Sequence, residues 1–152
     1  MLKDINHAAD LYLKSAQMDF TPAMVNLGYL IFKSAKNNIK LNYGNKLMVD
    51  EMQNCNPTNI FGDDLDDAYF DAATQLKLAL SHDDKLADAN YLMGVLYEFG
   101  HGVDLNHEIA HQYYEKASSC GHVKAHTKLG HFAYSGVRRG EFLNSVKEPV
   151  AP

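Results

Sequence analysis

Apolar and small residues recur along this chain at three- and four-residue steps, the spacing of amphipathic helices. Over residues 3–18 they fall at Ile5, Ala8, Ala9, Tyr12, Leu13 and Ala16. Thr21-Pro22 reads as a capping hydroxyl followed by proline at the first helical position. It opens a helix with Ala23, Leu27, Leu30, Ile31 and Ser34 on one side, ending near Asn37-Asn38. Residues 38–64 break the rhythm with dense Asn, Gly and Pro, which predicts an insertion loop holding a short helix around 46–53. An acidic start at residues 63–67 then predicts a helix to about Leu80, with Ala68, Ala72, Leu76 and Ala79 inward. Residues 85–99 read as a helix packed through Ala89, Met93, Leu96 and Tyr97. Gly100-His101-Gly102-Val103 is a turn, Asn106 caps a helix to Ser119, and Gly121 stops it. Residues 122–134 repeat the pattern of 85–99, and 137–152 read as a tail, extended or held by a partner.

One motif recurs in three of these helices: alanine, then an apolar residue and glycine four and five positions later. It appears at Ala23 with Leu27-Gly28, Ala89 with Met93-Gly94, and Ala125 with Leu129-Gly130. The last two copies are 36 residues apart, and Gly100 and Gly136 keep that step. A glycine inside a helix costs about 1 kcal/mol relative to alanine. Three at one register predict a neighbouring helix too close for a β-carbon. The helices before them carry alanine pairs seven apart: Ala9 and Ala16, Ala72 and Ala79, Ala110 and Ala117. We call the glycine-bearing helices first-type and the alanine-paired ones second-type. A period of this length marks stacked helix pairs that bury their apolar faces against each other. The expected fold is all-α: a right-handed α-solenoid of antiparallel pairs, about three repeats over residues 1–136, with the long insertion at 38–64.

Composition changes the picture little. The chain has 152 residues and a formal net charge of −5. Its acidic residues gather at Asp63, Asp64, Asp66, Asp67, Asp83 and Asp84, and its longest basic run is Arg138-Arg139. No basic stripe for tracking phosphates is visible, so nucleic acid is not an expected partner. Cys55 and Cys120 are far apart and exclude a disulfide framework, which makes a reducing compartment the default. No apolar run approaches the roughly 18 residues of a spanning helix, so no membrane insertion is expected. The expected location is intracellular and cytoplasmic by default, with the endoplasmic-reticulum lumen open if the chain is a fragment.

The unit formed by Ala89, Met93-Gly94, Tyr97, Gly100-His101-Gly102-Val103, Ala110, Tyr113-Tyr114-Glu115-Lys116-Ala117 and Gly121 resembles a Sel1-like repeat, a relative of tetratricopeptide repeats. Ala125, Leu129-Gly130 and Gly136 extend the resemblance, and Tyr12 to Ala16 with Ala23 to Gly28 match it fairly. It weakens over 65–80 and is absent over 38–62 and 138–152. Ser34 stands where the turn glycine should be. The array also opens on a second-type helix and closes on a first-type one. Each end then exposes an unpaired face, the expectation being a fragment or a subunit whose neighbours complete the stack. The resemblance implies a protein-binding scaffold that uses a concave face lined by first-type helices. On that geometry Asn26, Asn90, Tyr91 and Lys128 are the candidate partner contacts.

Two constellations could carry metal chemistry. His107-Glu108-Ile109-Ala110-His111 matches the HExxH pattern, in which two histidines share a helical face and the glutamate activates a bound water. Tyr114 and Ala117 stand where the extended metzincin form needs glycine and histidine. His107, His111, His122 and His126 form two i, i+4 pairs that could hold Zn²⁺ if they faced one another. The favoured alternative is local packing and hydrogen bonding, with no cofactor. The sequence therefore points to a non-catalytic scaffold or adaptor, bound to protein partners in a multi-subunit complex. Two rivals are a regulatory or substrate-docking arm of a larger enzyme, and a zinc hydrolase built on His107 to His111.

Overall fold

The computed structural model describes residues 4–39, 41 and 65–136. The expected insertion, apart from Asn38, Ile39 and Leu41, and the expected tail at 137–152 lie outside the described residues. Six helices are seen among those described, with no strand: α1 (Ile5–Gln17), α2 (Thr21–Lys36), α3 (Leu65–His82), α4 (Ala87–Phe99), α5 (His107–Ser119) and α6 (Val123–Ser135). Each helix packs on the next in sequence, and α2 also touches α4. None of the helices is long and apolar enough to cross a membrane.

Local chemistry sets the helix ends. The Asp4 carboxylate accepts the His7 backbone N–H at 3.0 Å, and the Asn106 side chain accepts that of Ile109 at 3.0 Å. Each satisfies one of the donors a helix start leaves unpaired. The α2 start differs from the sequence reading. Phe20 holds the cap position, without a side-chain bond, and Thr21 is already helical ahead of Pro22. Proline fixes the first turn's φ on its own, so the hydroxyl is not needed there. At the end of α4, Gly100 takes a left-handed conformation (φ 67°), and the His101 N–H returns to the Leu96 carbonyl at 3.0 Å. That reversal suits a residue without a β-carbon.

The core runs through the small-residue register. Ala9, Ala72, Ala79, Ala110 and Ala117 are fully buried, as are Leu27, Leu76, Met93, Leu96 and Tyr114. Two of the three predicted close approaches are present. A β-carbon on Gly28 would lie 2.9 Å from Leu76 Cγ and 3.4 Å from the Ala72 carbonyl oxygen. One on Gly94 would lie 2.6 Å from Tyr114 Cε1. The third is not: Gly130 is exposed, and none of the described residues comes within 4 Å of that point. The physical reason is positional. Gly28 and Gly94 are covered by the second-type helix that follows each of them, and no described helix follows α6.

The α4–α5 turn is pinned to α3. The backbone of Tyr69 and Phe70 occupies the space a β-carbon would need at Gly102 (φ 68°). Tyr69 stacks on His101 with ring centroids 4.5 Å apart. At the other end of the array, Leu41 is buried in one cluster with Ala9, Leu13, Leu27 and Ile31.

A candidate groove for a protein partner

Lining up the first-type helices α2, α4 and α6 leaves a groove of about 530 Å³ between them. Val25, Asn26 and Tyr29 of α2 form one wall, Asp88, Tyr91 and Leu92 of α4 the floor, and His122, Val123 and Lys124 of α6 the other wall. α2 and α4 each present residues there at i, i+3 and i, i+4, the facing positions of a helix surface, and α6 presents its N-cap and first turn.

The floor is organised by His122. Its ring stacks on Tyr91 at 4.3 Å between centroids. It also caps α6: Nδ1 accepts the Ala125 N–H at 3.3 Å. A neutral imidazole accepting at Nδ1 carries its proton on Nε2. That nitrogen lies 3.3 Å from Asp88 Oδ1, so one side chain ties α4 to α6 and orients the carboxylate at the groove mouth. Asp88 is 79% exposed and Tyr29 is exposed, which leaves a carboxylate, a phenol and the Tyr91–His122 stack facing solvent. Such a surface offers hydrogen bonds and broad apolar contact without ordering cost in its own rings.

The four sequence candidates separate. Asn26 and Tyr91 line the groove. Asn90 does not: it is 1% exposed, and its amide donates to the Asp84 carbonyl at 2.8 Å and the Leu86 carbonyl at 2.9 Å. It ties the α3–α4 loop to the start of α4, so both of its N–H donors are spent inside the fold. Lys128 sits apart from the groove. Its ammonium meets Glu98 Oε2 at 2.8 Å and lies 5.2 Å above the Phe99 ring. Glu98 Oε2 also accepts the Tyr114 hydroxyl at 2.5 Å, which joins α4, α5 and α6 in one network. Burial, with the bond to Glu98 adding to it, holds the Tyr114 phenol well above its ordinary range. Sequence reasoning missed Tyr29, Asp88 and His122. The first two follow from their turn on helices already predicted, but His122 was read only as a possible ligand.

The four histidines do not converge. His107 meets the Phe132 ring edge-on at 6.2 Å and His111 stacks on it at 6.0 Å, so Phe132 packs against both imidazoles of the HExxH pattern. His111 also faces Glu115 at 3.6 Å, and Glu108 is exposed. On α6, His122 faces the groove, while His126 Nδ1 bonds the Ser118 hydroxyl at 2.6 Å. No group of three or more His, Cys, Asp or Glu suited to a metal ion forms among the described residues. His107 and His111 turn to Phe132, while His122 turns to Tyr91 and His126 to Ser118, so the two i, i+4 pairs do not share one site. Tyr134 of α6 is 96% exposed.

The family model described as Sel1 repeat matches residues 1–20, 21–43 and 87–122. The last of these spans the unit from α4 to the start of α6, and the first two cover α1 and α2. No curated protein and no solved structure matches the chain. Repeats of this kind are generally protein-interaction modules. With just over half its length matched and six helices stacked in the manner such repeats require, the chain belongs to the Sel1 repeat family.

Proposed function

We propose that this chain is a non-catalytic scaffold that holds a segment of another protein in the groove between α2, α4 and α6. The observation that supports this reading best is the Tyr91–His122–Asp88 cluster. Its rings are fixed by stacking and by helix capping before any partner arrives, and its carboxylate and Tyr29 remain open to solvent. Pre-formed aromatic surface with a few oriented polar groups is what tight, specific docking needs, because little freedom is lost on binding.

The test is recovery of partner chains on the intact protein against a Tyr29→Ala, Tyr91→Ala double variant. Tyr29 is exposed, whereas Tyr91 is half-buried and packs on Tyr114 and His122, so recovery is compared per folded molecule. The expected outcome is that partners captured by the wild type fall by about tenfold or more, equivalent to the loss of one or two aromatic anchors. Equal recovery by a variant that keeps its helical content would remove the groove from the proposal.

A further inference from the structure

We propose that the cleft between α3 and the α4–α5 turn docks a basic segment of another protein, with Lys or Arg side chains on either side of an apolar one. The cleft encloses about 800 Å³ and shares no residue with the groove, so this reading stands apart from that one.

Its apolar surface comes from Phe70, Tyr97, Val103 and Ile109. Phe70 is 60% exposed, and Leu105 on the same turn is 59% exposed. Apolar area left to water beside a concave surface marks a contact for another molecule. The walls are set before any partner arrives. The backbone of Tyr69 and Phe70 fills the space a β-carbon would need at Gly102, and His101 stacks on Tyr69. The Asn106 N–H donates to the Tyr97 carbonyl at 3.0 Å, which fastens the far end of the turn to α4. Docking against walls held in this way loses little freedom.

Charge chooses the occupant. Asp67 of α3 and Asp104 of the turn both line the cleft, and both are exposed. Neither carboxylate has a hydrogen bond or an ion pair among the described residues. Asp67 also acts on its neighbour: burial, with repulsion from Asp67 adding to it, raises the Asp71 carboxyl. Lys77 is the one cation among the described lining residues. It stands ten residues beyond Asp67 on α3, about 15 Å along the axis, too far for an ion pair. Phe70 comes three residues after Asp67 on the same helix face. A partner's ammonium or guanidinium entering here meets two unpaired carboxylates and an aromatic ring, which attracts cations to its face. The apolar residue between two such bases covers the rest of the cleft surface.

The test ligand is the acetylated, amidated peptide Gly-Arg-Leu-Lys-Gly, titrated into the full chain and followed by backbone amide NMR shifts. It should saturate with Kd on the order of 0.1–1 mM in about 50 mM salt, the shifts centring on residues 67–70 and 100–106. Raising the salt to about 0.5 M should weaken it by about fivefold or more. Asp67→Asn combined with Asp104→Asn should weaken it by about tenfold, and Phe70→Ala by about threefold. All three residues are exposed, so the variants leave the core intact. Tyr29→Ala, in the groove, should leave the affinity unchanged, and the peptide Gly-Glu-Leu-Glu-Gly should not saturate. Absence of saturation by the basic peptide up to about 5 mM overturns the proposal. So does equal affinity for the two peptides, or equal affinity of the double aspartate variant. A wild-type dimer that this variant dissociates overturns it too, since the occupant would then be a second copy.

Discussion

The ring of Tyr114 fills the space that a β-carbon on residue 94 would need: the nearest approach would be 2.6 Å, to Cε1. The ring has little room to retreat, because its hydroxyl donates to Glu98 at 2.5 Å and the ring meets Phe132 edge-to-face at 5.7 Å between centroids. Gly94→Ala should therefore destabilise the chain by about 1–3 kcal/mol through overpacking. Gly130→Ala, with open space before it, should stabilise it by up to about 1 kcal/mol through helix propensity. Urea denaturation of the two variants side by side checks the pair. Equal shifts in the same direction would contradict the packing account.

Tyr114→Phe isolates the hydroxyl from the ring. Glu98 keeps Lys128 at 2.8 Å, so no charge is left wholly unpaired. The expected cost is about 1–2 kcal/mol, the loss of one hydrogen bond to a carboxylate in a partly buried place. Tyr114→Ala should cost more, about 3–5 kcal/mol, since it also opens a cavity beside Gly94. Equilibrium unfolding that ranks the two variants the other way would show that the hydroxyl outweighs the ring.

Asn90 separates a structural from a binding role. Its two donated hydrogen bonds hold the loop before α4, so Asn90→Ala should cost about 1–3 kcal/mol by taking the side-chain donor from the Asp84 carbonyl, while the Leu86 carbonyl keeps the residue-90 backbone N–H at 3.0 Å. Partner recovery per folded molecule should not change, whereas Tyr91→Ala should lower it beyond what its lost packing on Tyr114 and His122 costs the fold. Thermal melts combined with the recovery assay read both quantities. A binding loss on Asn90→Ala in a fully folded sample would return that residue to the groove.

Asp71 makes stability depend on pH. Burial, with repulsion from Asp67 adding to it, pushes its carboxyl from the model-peptide value of 3.8 up to about 7. Its Oδ2 is buried without a hydrogen-bond partner. Between those two values the folded chain holds a proton that the unfolded chain releases. The contribution of this group to stability therefore falls as pH rises through that window. Asp71→Asn should raise the melting temperature at pH 8 by a few degrees and have a much smaller effect at pH 4, near the unfolded value of 3.8, where little of the difference has yet built up. Melts at pH 4 and pH 8 decide it, and a variant that melts lower than wild type at pH 8 refutes it.

Much of the fold was legible in the residues alone, and for a local reason. Helical periodicity depends on neighbours three and four positions away, so Ala72, Leu76 and Ala79, or Ala89, Met93 and Leu96, declare their buried side without reference to the rest of the chain. The glycine register carried further, because a repeated cost at one position predicts a repeated close approach. Caps were legible where the side chain is a familiar acceptor, as at Asn106. They were missed where an imidazole serves, as at His122, or where proline made a hydroxyl unnecessary, as at Thr21.

The candidate groove was half legible. Asn26 and Tyr91 lie on it, but Asn90 and Lys128 occupy similar helical turns and are spent on the fold's own contacts. Which hydrogen bonds an amide or ammonium makes depends on chain segments distant in sequence, and periodicity carries no record of them.

What the amino-acid order determined by itself is the set of helices and the register in which they meet, because volume and spacing are properties of the chain. Tertiary structure alone decided what stands opposite each position: Leu76 at Gly28, Tyr114 at Gly94, open space at Gly130, and Phe132 between two histidines. The same motif is buried twice and exposed once, since burial belongs to a pair of surfaces and only the structure shows whether the second is there.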